Sequence, residues 1–144
     1  MTFTRKQQLY FDGVEESVKF INITYSRKLS SVKSQDPMKD MDDFRSSALI
    51  LDSWVIVDLA KRVRALLEGM PGLKQTPDVR AFLIRTSDVP NFRHYIQHLE
   101  SETTNIAESG RPIWGSISWV QLLPDERFIV RIYVPGRIAK YSVP

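Results

Sequence analysis

Ala48-Leu49-Ile50-Leu51-Asp52-Ser53-Trp54-Val55-Ile56-Val57-Asp58-Leu59-Ala60 is the stretch that decides the fold class. Wound as a helix, it is apolar around more than half of the cylinder, which places it at the centre of a bundle or beneath a second chain. It lies inside a longer predicted helix over residues 37–70. Asp36-Pro37 supplies a cap with proline in the first turn, and Pro71-Gly72 ends the helix.

The elements on either side follow from punctuation and periodicity. Upstream, Asp12 and Glu15 read as a capping box for a helix over residues 12–30, with Val14, Val18, Ile21, Tyr25 and Leu29 as its apolar stripe. Residues 31–36 are polar and read as a loop. Downstream, Thr76-Pro77-Asp78 opens a short helix carrying Val79, Phe82 and Leu83 and stopping near Thr86. Ser87 or Asp88, with Pro90 in the first turn, opens another helix whose stripe is Phe92, Ile96, Leu99 and Ile106. It is predicted to run to Gly110. Beyond it, residues 114–123 are rich in aromatic and β-branched side chains, and Phe128, Val130, Ile132 and Val134 alternate with Ile129, Arg131 and Tyr133. Pro124-Asp125-Glu126 between them is turn chemistry. A lone hairpin is marginally stable, so this one must pack on the helices, pair with the tail near Lys140 to Val143, or pair with a second chain. The expected architecture is mainly α: an antiparallel helical bundle over residues 1–110, with a C-terminal β-hairpin and tail over residues 111–144 packed on the same domain.

Composition narrows the function. The 144 residues are 42% hydrophobic and 26% charged, the balance of an ordinary globular domain able to bury its own core. The lack of cysteine excludes disulfides, thiolate metal clusters and a cysteine nucleophile. No run resembles a signal peptide or is long enough to cross a bilayer, so the expectation is a cytoplasmic protein with no membrane partner. The net charge of +3 is unevenly placed. Basic and acidic residues balance over residues 1–110, whereas Arg111, Arg127, Arg131, Arg137 and Lys140 face only Asp125 and Glu126 afterwards. Such an excess suits a polyanion such as RNA as well as a plainly solvated sheet.

The two histidines lie together in Asn91-Phe92-Arg93-His94-Tyr95-Ile96-Gln97-His98-Leu99-Glu100. His94 and His98 are one helical turn apart and share a face, off the predicted core stripe. Their spacing suits two zinc ligands. However, Tyr95 stands where a zinc protease needs glutamate and no cysteine completes a site, so neither a metal nor another cofactor is assigned. Metal-free RNA cleavage needs a base for the 2′-hydroxyl, a cation for the phosphorane and an acid for the leaving oxygen. Histidine and arginine are suited to these roles, and Arg93, His94 and His98 supply them. Lys61, Arg62 and Arg64 form a basic cluster that suits an RNA backbone, as does Arg131 on the hairpin. Trp114 and Trp119 are candidates for base stacking or for packing on the helices. The competing reading is structural, with Arg93 paired to Glu100 or Asn91 and the histidines solvated.

An arginine, a polar neighbour, three residues and a histidine, on a late helix after a long helical hairpin, resemble the HEPN superfamily (higher eukaryotes and prokaryotes nucleotide-binding domains). The resemblance spans residues 12–109 in architecture and Arg93, His94 and His98 in motif. It implies a dimeric helical bundle directed at RNA. In many members it implies metal-independent endoribonuclease activity in toxin, antiviral or RNA-processing systems, sometimes with a protein antitoxin. In others it implies a non-catalytic nucleotide-binding or scaffold module. On this basis Arg93 would stabilise the phosphate, His98 would be general base or acid, and His94 would assist. Five residues of helix separate Arg93 from His98 by about 140° and about 7.5 Å, so a site using both suits a homodimer in which each copy faces the other. Glu100 stands where some toxin members carry tyrosine, and the hairpin is an addition to the common bundle.

Overall fold

A computed structural model describes residues 3–36, 39, 41–70, 72–73, 76–110, 112–123 and 126–135. Among these the chain is mainly helical and closes with a two-stranded antiparallel sheet.

Helix α1 (Arg5–Lys33) starts seven residues before the predicted position. Its capping box is Thr4 with Gln7: the Thr4 hydroxyl accepts from the Gln7 amide at 3.2 Å, and Gln7 Oε1 accepts from the Thr4 amide at 3.0 Å. Asp12 therefore lies inside the helix and accepts from Gln8 Nε2 at 2.8 Å. Helix α2 (Asp43–Gly69) begins later than predicted, because Asp42, accepting from the Arg45 amide at 2.8 Å, is its cap. Pro37 lies outside the described residues.

The two long helices pack antiparallel. The seam on α1 runs along Gly13, Ser17 and Thr24 rather than along the predicted stripe, of which Val18, Tyr25 and Leu29 stay exposed. The cause is size complementarity. Leu66 of α2 reaches to 3.1 Å from where a Gly13 Cβ would stand, and Tyr10 of α1 to 3.2 Å from where a Gly69 Cβ would stand. Small residues on one helix thus receive large ones from the other. Farther along, Arg27 donates Nε and Nη2 to Asp52, whose side chain is only 6% exposed. Lys28 Nζ donates to Ser53 Oγ at 2.6 Å. The buried apolar core centres on α2, with Leu49 (1% exposed), Ile50, Val63 and Met70, joined by Ile106.

Helix α3 (Pro77–Arg85) begins and stops as the sequence implies. Helix α4 (Val89–Gln97) lies against α2. The predicted continuation to Gly110 is interrupted at His98, whose φ of −119° and ψ of 31° leave the helical region. Its carbonyl accepts the Ser101 amide (3.1 Å) and hydroxyl (2.9 Å), so a separate helix, α5 (Leu99–Ser109), starts from it. Gly110, at φ 64°, closes α5 in the left-handed region that glycine reaches without strain.

Strands β1 (Ile117–Leu122) and β2 (Phe128–Tyr133) pair from Ile117 with Tyr133 to Leu122 with Phe128. Of the three predicted ways to steady the hairpin, packing on the helical part is observed. Gln121 Nε2 donates to the Gln35 carbonyl at 2.9 Å, Arg131 Nη2 to the Lys39 carbonyl at 3.1 Å, and Tyr133 Oη lies 3.4 Å from Ser47 Oγ. The face turned inward is therefore the more polar one. Val120, Leu122, Phe128, Val130 and Ile132 point outward with 55–73% of their surface exposed. The proposed pairing near Lys140 to Val143 lies outside the described residues.

Candidate functional site

Helix α4 owes its placement to Pro90 in its first turn and to its contact with α2. Successive side chains on a helix are 100° apart, so α4 presents different chemistry on different flanks.

On one flank, Arg93 Nε donates to Asp58 Oδ1 at 2.7 Å, and Nη1 donates to Gln97 Oε1 at 2.9 Å. Arg62, one turn beyond Asp58 on α2, donates its Nε to Oδ2 at 2.9 Å. The Arg93 hydrogen bond holds the Asp58 carboxyl below the ordinary range. Partial burial opposes this, and Arg62 adds to it. Two guanidiniums share one carboxylate, so the cluster carries a net charge of +1 fixed at the surface. Arg93 thus pairs with Asp58 and Gln97, not with Glu100 or Asn91. The Asp58–Arg62 pair is the i, i+4 contact legible in the sequence. The Arg93–Asp58 pair joins residues far apart in the chain and is not.

On the neighbouring flank, His94 and His98 are both exposed, with ring centroids 4.4 Å apart and planes tilted by 44°. The helix break at His98 does not separate them, because the His98 amide still donates to the His94 carbonyl at 3.1 Å. Among the described residues, no group of three or more His, Asp or Glu is placed to hold a metal ion.

Two of the predicted RNA contacts make hydrogen bonds within the fold. Arg64 has a side chain only 11% exposed, and its Nη1 donates to the Leu83 carbonyl and to Thr86 Oγ1. It fastens the C-terminal end of α3, where carbonyls lack helical partners and a cation is favoured. Arg131 sits on the inward face of the hairpin and donates to the Lys39 carbonyl. Arg62 remains exposed beside Asp58.

Sequence reading did not foresee the cavity of about 510 Å³ between α2, α4 and the segment leading into β1. Trp54, Phe92, Tyr95 and Trp114 line it, with Asn91 and Ser53 among its polar groups. Phe92, predicted as core, is exposed at this opening. Tyr95 Oη lies 3.4 Å from the Pro112 and Ile113 carbonyls, which ties α4 to the segment before β1. Gly115, at φ 75°, turns that segment past the Trp54 ring. The aromatic residues were visible in the sequence. Their convergence was not, since they come from three separate elements. No helix among the described residues is long and apolar enough to cross a membrane. Compared with protein-family models, with curated proteins and with solved structures, the chain finds no match.

Proposed function

We propose that this chain is a HEPN-like, RNA-directed protein that holds a phosphodiester backbone against α2 and α4. The observation that carries the reading is the Arg62–Asp58–Arg93 cluster. One carboxylate orients two guanidiniums, leaves one positive charge in excess and keeps it at the surface. Guanidiniums held in this way offer their remaining N–H groups to phosphate oxygens with little further ordering. The exposed His94 and His98 add donors on the adjoining flank. The same reading places the protein in the cytoplasm and pairs it with a second copy.

The His94–His98 contact favours a second reading, metal-independent RNA cleavage. Two imidazoles within one turn are a suitable base and acid for the 2′-hydroxyl and the leaving oxygen. Arg93 would have to meet the phosphate with the nitrogen not engaged by Asp58 or Gln97, or to serve the histidines of a second copy.

Short single-stranded RNA, titrated in chelator and then analysed for cleavage, tests both readings. Binding by the wild type that weakens in Arg62→Ala and Arg93→Ala supports the first. Cleavage that survives chelator and disappears in both Arg93→Ala and His98→Ala adds the second. Folded wild-type protein that neither binds nor cleaves overturns both.

A further inference from the structure

The cavity beside the arginine cluster has a chemistry of its own. Its volume, about 510 Å³, is that of a small-ligand site. Trp54, Phe92, Tyr95 and Trp114 line it, yet the ring pairs among the described residues are Phe3–Phe11 and His94–His98. The four cavity aromatics therefore do not stack on one another, and Phe92 and Trp114 keep 54% and 45% of their surface exposed.

Electrostatics decides between the guests that aromatic walls attract. A quaternary ammonium is held by aromatic faces through cation–π attraction. Here, among the described residues, no carboxylate lines the cavity. Behind Ser53, on its wall, stands the half-buried Lys28 ammonium at 2.6 Å; the Asp52 carboxylate that also acts on Lys28 is already paired with Arg27, and the Arg62–Asp58–Arg93 cluster lies on α2 and α4. A cation is disfavoured in these surroundings, whereas a neutral planar ring attached to an anion is favoured. Asn91, at the opening, carries a carboxamide with both donor and acceptor, the pattern that reads the edge of a base. The positions also agree. Trp54 and Asp58 are one turn apart on α2, about 6 Å along the axis, and Phe92 and Arg93 are neighbours on α4.

We infer that the aromatic cavity formed by Trp54, Phe92, Tyr95 and Trp114 takes one unstacked nucleobase, whose phosphate is met by the adjacent arginine cluster. The base comes from a single strand or from a free nucleotide. For the strand, the inference deepens the phosphodiester reading above and rests on it. For the free nucleotide, it stands alone.

Four probes test it: adenosine, tetramethylammonium, a hexameric oligoadenylate and an abasic phosphodiester of the same length. Adenosine is expected to quench tryptophan fluorescence saturably, and tetramethylammonium to leave it unchanged. The oligoadenylate is expected to bind about tenfold more tightly than the abasic strand, the gain of stacking one base. Trp114→Ala and Phe92→Ala, at positions about half exposed, should bring that ratio to about twofold or less and leave abasic binding unchanged. Arg62→Ala should weaken both strands alike. Equal affinity for the two strands together with silent adenosine overturns the inference and leaves the phosphodiester reading intact. Adenosine quenching with neither strand bound supports the cavity with a free nucleotide as its source and removes the phosphodiester reading. Quenching by tetramethylammonium but not by adenosine overturns the assignment of the guest.

Discussion

Arg93 and Phe92 are neighbours in the chain, yet the regions that they enter differ in kind. Arg93 enters an ionic cluster, donating to Asp58 and to Gln97 while Arg62 donates to the same Asp58 carboxylate. Phe92 enters an open cavity whose aromatic rings stack on no other ring among the described residues. A charge is costly to leave without a counter-charge or water, so a fold supplies a partner from whichever element is near. An aromatic face tolerates exposure at the cost of lost hydrophobic burial, and several such faces around one void are the feature on which the proposed base site rests. The fold itself thus accounts for part of the ionic cluster, whereas it leaves the aromatic wall uncovered.

The largest effect expected on this comparison comes from the wall that both regions share. Leu49→Ala removes the most deeply buried large side chain of α2 and should cost about 3 kcal/mol in urea denaturation, loosening the ionic and aromatic regions together. A loss under about 1 kcal/mol would mean that α2 is not the central helix.

Asp58→Asn separates the two regions. The cluster is half-exposed, so the stability loss should be about 1 kcal/mol. Removing the negative charge should raise the affinity for single-stranded RNA about threefold at low salt and leave adenosine quenching unchanged. Weaker RNA binding would show that the carboxylate's orienting role outweighs its charge.

Acid titration probes the same carboxylate more gently. Arg93, and to a lesser degree Arg62, lower the Asp58 carboxyl below its ordinary value. The stability that this carboxylate contributes is then present above about pH 4 and is lost as pH falls through its lowered value. Arg93→Ala should therefore lose less stability than the wild type between about pH 5 and pH 3, as read from urea midpoints. Equal losses would mean that the pair is absent in solution.

The smallest effect belongs to the hairpin. Val130→Thr on its outward face should change stability by no more than about 0.5 kcal/mol, whereas Ile129→Thr on the inward face should cost about 1–2 kcal/mol. A large loss at Val130 would show that the outward face is covered in solution.

What the sequence made legible follows the range of the interactions. The apolar run through Ala48–Ala60 announced a central helix, and Thr76-Pro77 and Pro90 marked helix starts, because these signals are local. The first turn of α1 was missed because Arg5, Lys6, Gln7 and Gln8 give no apolar period, although Thr4 and Gln7 carry a capping box. The break at His98 was missed because neither glycine nor proline marks it and the carbonyl is taken by Ser101. The α1 seam is not legible from apolar periodicity, because small residues, Gly13, Ser17 and Thr24, permit the close approach rather than the large apolar ones. At the site, Asp58–Arg62 was readable as an i, i+4 pair, while Arg93–Asp58, the burial of Arg64 and the aromatic cavity all depend on how separate elements meet.

The most direct test of the phosphodiester reading is the salt dependence of hexameric RNA binding by the wild type and by the Arg62→Ala/Arg93→Ala double variant. In a plot of log affinity against log salt, the account predicts a clear negative slope for the wild type and a slope shallower by about 1 to 1.5 for the variant, as two fewer phosphates are met. Identical slopes and affinities in the two proteins, or a wild type that does not bind at low salt, would contradict it.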